Sequence, residues 1–148
     1  MSGTGAYLYG GRWNTPDHYA VYLSGTLTLA MLEVLVHLDD AEAFVQKEHV
    51  YHAVRFDEKD VAVLDENALP QGWNARPETL AGQTIGDEFL ERGEQIALAL
   101  PSVVVPRALR YDPLYMNYLV NPKHPDFNAD IGEIEPLDWD PRLTPPQG

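Results

Sequence analysis

The chain has no cysteine among its 148 residues, which excludes disulfide scaffolds and thiolate metal sites. It has ten lysines and arginines against 23 aspartates and glutamates, giving a formal net charge of −13, so we expect no direct contact with nucleic acid. No apolar run reaches the roughly 20 residues that span a bilayer. The first residues, MSGTGAYLYGGRWN, lack the basic and apolar regions of a signal peptide. We therefore expect a cytoplasmic protein without membrane contact.

The sequence also lacks the motifs of several common sites. It contains neither the glycine fingerprint of dinucleotide-binding folds nor a phosphate-binding loop that ends in Gly-Lys-Ser or Gly-Lys-Thr. The five histidines do not form the H-E-x-x-H spacing of a zinc site, and no G-x-S-x-G nucleophile motif occurs. We therefore expect no metal and none of these established nucleotide or hydrolase sites.

What is present indicates one globular domain over residues 1–148. Apolar content of 45% and charged content of 22% are typical of a folded domain with its own core, and no repeat or linker divides the chain. Strand formers, caps and breakers predict strands at 20–24, 50–56 and 61–64, a helix from a Thr26 N-cap to about Leu38, a weaker helix at 41–46 after Asp39–Asp40, a helix at Thr84–Arg92 closed by Gly93, two strands within Ile96–Pro106 joined at Pro101–Ser102, and one late strand within 130–139.

The order of these elements favours an α+β fold. Strands and helices alternate without a regular βαβ rhythm, which argues against a doubly wound parallel sheet. We therefore predict a single domain in which helices flank a mixed, largely antiparallel sheet.

Glu33 is the residue that most needs an explanation. It lies within LTLAMLEVLVHL, Leu27–Leu38, an almost entirely apolar stretch that predicts a buried helix. Burial of an unpartnered carboxylate costs several kcal/mol. Glu33 is therefore either a structural carboxylate paired with an arginine or a backbone group, or part of a functional site. We favour the functional site, and His37, one turn on, is expected to share its face.

Three further polar residues stand in apolar or glycine-rich surroundings. Arg12 follows two glycines, where a guanidinium could grip phosphate or carboxylate, although a turn arginine lying over Trp13 is as good an interpretation. Tyr22 suits a core position in a strand, but its ring could also stack on a flat heterocycle. Ser102 alone indicates a turn hydroxyl. The polar residues near the C-terminus are expected to form loops: Asn117, Asn121 and His124.

Taken together and in this order, several segments resemble the RES-domain family, toxins of bacterial toxin–antitoxin pairs named after Arg, Glu and Ser. The resemblance covers nearly the whole chain, and its combination of motifs is more specific than any one of them. The segments that carry it are SGTGAYLYGGRWN, VYLSGTLTLAMLEVLVHLD, LPQGW, IGDEFL, LPSVVVP, NYLVNPKHPDF and WDPRL. Family members generally begin with a further strand containing an arginine. Since Met1 stands directly before SGTG, we expect this chain to lack that strand.

The resemblance implies an ADP-ribosyltransferase-like fold that uses NAD as substrate and no metal. Arg12, Glu33 and Ser102 match the family's eponymous trio and are expected to be catalytic, while Tyr22 matches an active-site tyrosine. Arg12 would hold the NAD diphosphate, Tyr22 would stack on nicotinamide or ribose, and Ser102 would hydrogen-bond one of these. The carboxylate of Glu33 would stabilise or orient the oxocarbenium-like state.

The resemblance also implies a partner and a reaction. We expect an NAD-consuming toxin that cleaves the nicotinamide–ribose bond by hydrolysis or phosphorolysis and arrests growth. Its expected partner is an Xre-like helix-turn-helix antitoxin, in a homo-oligomer or a toxin–antitoxin hetero-oligomer. The alternatives are a mono-ADP-ribosyltransferase that modifies a host protein and a non-catalytic protein that only binds its antitoxin.

Overall fold

A computed structural model describes residues 1–38, 44, 47–127 and 130–143. The break at Asp39–Asp40 and most of the weaker helix expected at 41–46 lie outside this range. None of the described helices is long and apolar enough to cross a membrane. The elements are the helices α1 (Thr4–Tyr9), α2 (Leu27–Leu35) and α3 (Leu80–Arg92), and the strands β1 (Val21–Ser24), β2 (Val50–Tyr51), β3 (Val54–Arg55), β4 (Val61–Val63), β5 (Ala97–Pro101), β6 (Met116–Val120), β7 (Asp130–Ile131) and β8 (Glu135–Pro136).

A four-stranded sheet forms the centre of the fold. Its strand order is β1-β6-β5-β4, with β6 antiparallel to both β1 and β5, and β4 parallel to β5. All five residues of β5 are buried, as its uninterrupted apolar sequence ALALP requires of a strand covered on both faces. The prediction of an α+β fold with a mixed, largely antiparallel sheet is confirmed.

Helix α3 attaches the N-terminal segment to this sheet. The Thr79 side chain caps the helix by accepting from Gly82 N, and Gly93 closes it in the left-handed conformation. Gly86 faces the carbonyl of Trp13 so closely that an added Cβ would lie 1.6 Å from its oxygen. The predicted helix is therefore confirmed, with a start four residues earlier than expected, and it holds the GRWN segment against the core.

Helix α2 agrees with the prediction in its start but not in its burial. Thr26 is the N-cap, accepting from Leu29 N at 3.2 Å. The helix ends at Leu35 rather than near Leu38, and its only fully buried residue is Leu29. Leu32 is 45% exposed. The prediction of a buried helix is wrong because α2 lies beside β1, the edge strand of the sheet, so that protein covers only one of its faces.

The strand expected at 50–56 and the one within 130–139 are both divided in two. The four short strands form two antiparallel ladders, β2 with β8 and β3 with β7, and the register shifts by one residue between them. A hydrogen bond from Gly132 N to Ala53 O at 2.8 Å continues the ribbon next to β7. The ribbon leads into one wall of the cleft described below.

The second half of Ile96–Pro106 is not a strand, so the prediction of two strands there is half wrong. β5 ends at Pro101, and the Ser102 hydroxyl accepts from Val104 N at 3.2 Å. This local side-chain turn competes with strand pairing. It turns Val103 and Val104 towards the cleft.

Candidate active site

A cleft of about 1220 Å³ opens beside β1, α2 and the ribbon. Its volume exceeds the range of about 300–1,000 Å³ common for sites of drug-sized ligands, so it has room for a dinucleotide. Three of the four predicted site residues line it, namely Arg12, Tyr22 and Glu33. Ser102, the fourth predicted site residue, is not part of the lining of the cleft. The remaining polar residues used below are His37, Arg76, Glu78 and Asn117.

The carboxylate of Glu33 is held from one side. Its Oε1 accepts a hydrogen bond from Ser102 Oγ at 2.6 Å and another from Asn117 Nδ2. Within the described part of the chain, Oε2 has no hydrogen-bond partner. In the described residues neither an arginine nor a backbone group pairs with the Glu33 carboxylate, whose partners are the side chains of Ser102 and Asn117, so a structural role and a functional role both fit this geometry. Both hydrogen bonds therefore act on one oxygen of the carboxylate.

Ser102 reaches Glu33 from behind the cleft wall. Ser102 is only 1% exposed. Its hydroxyl donates to Glu33 Oε1 and accepts from Val104 N. The kink that follows Pro101 is what aims this hydroxyl at α2. The structure thus brings Ser102 and Glu33 together, as members of one site, with the serine beneath the carboxylate.

Tyr22 presents its ring to the cleft and buries its hydroxyl. The residue is 40% exposed, while the hydroxyl donates to Asn14 Oδ1 at 2.7 Å and accepts from Trp13 N at 3.1 Å. Burial raises the pKa of the Tyr22 hydroxyl, more than the hydrogen bond from Trp13 lowers it. An added Cβ at Gly11 would lie 2.7 Å from this hydroxyl. The missing side chain at Gly11 therefore leaves room for the Tyr22 hydroxyl.

Arg12 is tied to the loop that follows β4. Its Nη1 donates to the carbonyls of Trp73 and Ala75 at 3.0 and 3.1 Å, and its Nη2 lies 3.5 Å from Glu78. A guanidinium carries five N–H donors, so these contacts leave donors for a ligand. The interpretation of Arg12 as a turn arginine lying over Trp13 is incomplete, because the guanidinium spans to a segment about sixty residues further on.

His37 and Arg76 also border the same space. His37 lies in the turn just after α2, where its Nδ1 donates to the Glu33 carbonyl at 2.7 Å, and it lines the same cleft as Glu33. Arg76 is exposed and makes one long hydrogen bond, 3.5 Å, to Val36 O. The cleft therefore has a second guanidinium in addition to Arg12.

Sequence reasoning missed two asparagines. Asn117 was expected in a loop, but it lies in β6 and contacts Glu33, so that prediction is wrong. Asn14 is completely buried, and its Oδ1 accepts a hydrogen bond from the Tyr22 hydroxyl. The available signal was an amide among strand formers in MNYLV and next to a tryptophan in GRWN. Asparagine is depleted in strands, so its presence in one calls for a specific partner.

Comparisons with known proteins identify the family of this chain. The chain matches the RES domain family over residues 1–140 and belongs to this family, the toxin family that its motifs indicated. It is 38% identical to Toxin Res of Photorhabdus laumondii over 145 residues, covering 97% of this chain and 87% of the relative. It is 34% identical to Toxin Res of Yersinia enterocolitica, covering 96% and 89%.

Two further similarities concern a differently named relative and a solved structure. The chain is 32% identical to the Prs ADP-ribosylating toxin of Sphingobium sp., covering 97% of this chain and 86% of the relative. Its fold is similar to a chain in the crystal structure of the M. tuberculosis MbcT–MbcA toxin–antitoxin complex, with a TM-score of 0.73 at 18% identity, covering 97% of this chain and 79% of that chain. At this identity the second similarity supports the fold alone.

Proposed function

We propose that this RES-domain chain is a toxin that consumes NAD by cleaving its nicotinamide–ribose bond, with water or phosphate as the acceptor, and thereby arrests growth. The observation that carries the proposal is Glu33. Its carboxylate lies in the wall of a dinucleotide-sized cleft, with Oε1 fixed by two donors and Oε2 left for a ligand. Fixed charge placed where charge develops is the largest single contribution in many enzymes.

The proposed reaction needs an anion at this place. When the bond between ribose and the nicotinamide nitrogen breaks, its electron pair goes to the nitrogen and neutral nicotinamide leaves. Positive charge then spreads over the ribose ring carbon and oxygen, as in glycoside cleavage. The Glu33 carboxylate would stabilise that charge or hold a ribose hydroxyl. Water then adds with loss of a proton to give ADP-ribose, or phosphate adds to give ADP-ribose phosphate.

The other lining residues would bind the substrate. Arg12 retains N–H donors for the diphosphate, and Arg76 offers a second guanidinium, in a chain that is otherwise strongly acidic. The half-exposed ring of Tyr22 would stack on nicotinamide or ribose. Ser102, beneath the carboxylate, would act by orienting Glu33, and we now assign it that role in place of direct substrate contact.

The second candidate is transfer of ADP-ribose to a protein. The observation that favours it is the name of the Sphingobium relative, an ADP-ribosylating toxin. The same carboxylate would serve both reactions, because they share the bond that breaks and differ only in the acceptor.

We also propose that an Xre-like helix-turn-helix antitoxin covers the cleft in a toxin–antitoxin hetero-oligomer in the cytoplasm. The similar MbcT chain was solved in a toxin–antitoxin complex. Helix α2 exposes apolar side chains beside Glu33, and such surfaces are typical of protein contacts. The net charge of −13 favours a basic segment of the partner.

The test is product analysis with purified chain. NAD is incubated with the chain alone, with phosphate, and with a bacterial lysate, and the products are identified by mass spectrometry. Free nicotinamide with ADP-ribose or ADP-ribose phosphate is the expected result. Nicotinamide together with ADP-ribose on a lysate protein would establish the second candidate. Unchanged NAD under all three conditions, from a folded chain, would contradict both and leave a non-catalytic antitoxin-binding protein.

A further inference from the structure

The side chain of Asn117 links two groups in the wall of the cleft. Its Nδ2 donates to Glu33 Oε1, and its Oδ1 accepts from Ser24 Oγ at 2.7 Å. Ser24 and Asn117 are register partners in β1 and β6, so strand pairing itself brings them together. A line of hydrogen bonds therefore runs from Ser24 through Asn117 to the carboxylate.

This line selects one of the two orientations of the Asn117 amide. An amide has a donor end and an acceptor end, whereas an ionised carboxylate only accepts. With the amide reversed, its oxygen would face Glu33 Oε1, and the two acceptors would repel each other. Glu33 therefore selects the orientation in which Nδ2 donates to it. In that orientation the Ser24 hydroxyl donates to Oδ1 and fixes the end of the amide that faces away from the carboxylate.

Both donors to Glu33 act on the same oxygen. Ser102 approaches Oε1 from the buried side and Asn117 approaches it from β6. Two charge-assisted hydrogen bonds on one oxygen restrict rotation of the carboxylate about its last bond. The second oxygen is thereby kept in a single position.

We propose that Asn117 and Ser24 are positioning residues that hold the Glu33 carboxylate in the rotation in which Oε2 faces the substrate. The proposal rests on the function proposed above for Glu33. Asn117 acts through Glu33, and Ser24 acts through Asn117, so the three form one ordered relay rather than three independent contacts.

The first experiment is the pH profile of Asn117→Asp, a variant of nearly the same shape. At alkaline pH the new carboxylate offers Glu33 no donor and repels it. At acidic pH the two carboxylates share a proton, which restores a donor to Oε1. At each pH, kcat of the variant is divided by kcat of the unmodified chain. We expect this ratio to rise about tenfold or more from pH 8 to pH 5, the size of a general positioning effect. We expect little change in KM.

The matched control is Tyr118→Phe, on the same strand. Tyr118 donates one hydrogen bond, to Pro113 O at 3.1 Å, and has no hydrogen bond to Glu33 in the described residues. Its profile should follow that of the unmodified chain. If Asn117→Asp also follows that profile, with unchanged kcat, the positioning role is wrong.

The second experiment tests the order of the relay. Ser24→Ala should lower kcat several-fold, and Asn117→Ala should lower it further. Since Ser24 acts only through Asn117, the double variant should be no slower than Asn117→Ala alone. Additive losses would overturn the relay and make the two residues independent. Thermal unfolding identifies any variant that does not fold, and the pH comparison of Asn117→Asp is internal to one protein.

Failure of the relay and failure of the proposed function are distinguishable. If the unmodified chain consumes NAD while these variants match it, only the relay is wrong. If the chain arrests growth without consuming NAD, four variants are ranked by growth arrest upon expression: Glu33→Gln, Asn117→Ala, Ser24→Ala and the double variant of Ser24 and Asn117. Loss of arrest in Glu33→Gln and Asn117→Ala, without additivity from Ser24→Ala, would then support the relay although the NAD reaction is wrong. Full arrest by Asn117→Ala would contradict it.

Discussion

The two charged sides of the cleft are built differently. Glu33 is held by the side chains of Ser102 and Asn117, which follow it by 69 and 84 residues. Arg12 is held mainly by the backbone carbonyls of Trp73 and Ala75. The acidic side therefore depends on which residues occupy two distant positions, and the basic side depends on the path of a loop.

This difference determines what a substitution does on each side. A carboxylate oriented by side chains can be changed through its neighbours while the backbone stays in place. A guanidinium that satisfies carbonyls has a structural task as well, because its removal leaves the partly buried carbonyl of Trp73 without this donor. We therefore expect changes at Glu33 to affect turnover almost alone, and changes at Arg12 to affect binding and stability together.

The largest expected effect is that of Glu33→Gln. The glutamine oxygen can still accept from Ser102 and Asn117, so the fold should persist, but the charge opposite the developing cation is lost. We expect turnover of NAD to fall about a hundredfold or more. Stopped-time product assays measure the loss, and thermal unfolding checks the fold. Full turnover in a folded variant would rule out the catalytic role and remove the distinction between the two sides.

Arg12→Ala should have a smaller effect on two quantities at once. Charge-assisted hydrogen bonds contribute about 1.5–3 kcal/mol, so their loss should weaken the affinity for NAD by roughly tenfold or more. The melting temperature should fall as well. Calorimetry on the Glu33→Gln background avoids turnover during the titration. Arg12→Lys should restore little, because an ammonium does not reproduce the planar fork that reaches both carbonyls.

The matched control for Arg12 is Arg76→Ala. Arg76 borders the same cleft, but within the described residues its single hydrogen bond is a long one, to Val36 O. We expect it to weaken NAD affinity without lowering the melting temperature. Equal loss of stability in both variants would show that backbone anchoring does not distinguish Arg12.

The smallest expected effect on the site is that of Tyr22→Phe. The variant keeps the ring in the cleft and removes the hydroxyl between Trp13 N and Asn14 Oδ1. We expect a loss of about 1–3 kcal/mol in stability, since two buried groups lose a partner, with NAD affinity nearly unchanged. Tyr22→Ala should weaken affinity as well, measured in the same calorimetric titration. Equal affinities for both variants would argue against stacking.

The sequence predicts most of the elements but not which surfaces they cover. Caps and breakers are local, so Thr26 and Gly93 could be assigned from a few neighbouring residues. Burial of α2 could not, because it depends on the position of β1 at the edge of the sheet. The stretch Leu27–Leu38 is apolar, but apolar content alone does not determine whether other parts of the chain cover the helix.

The candidate site shows the same division. Glu33 could be singled out because a carboxylate in an apolar helix is costly. Asn117 could not be joined to it, since their contact spans 84 residues and depends on the pairing of β6 with β1. The strand expected after Ser102 does not form, because the Ser102 hydroxyl accepts a hydrogen bond from Val104 N and turns the chain there.

The distance in sequence between Glu33 and its partners bears on when the site can form during synthesis of the chain. A nascent chain that has emerged from the ribosome only as far as the end of α2 contains Glu33 but neither Ser102 nor Asn117. A slip of one residue between β1 and β6 would turn the Asn117 side chain to the opposite face of the sheet. Translation of nearly the whole chain and correct strand pairing must therefore both precede an oriented carboxylate. If Glu33 acts as proposed, an unfinished or misregistered chain would be inactive, and the interval before activity would give a partner time to bind.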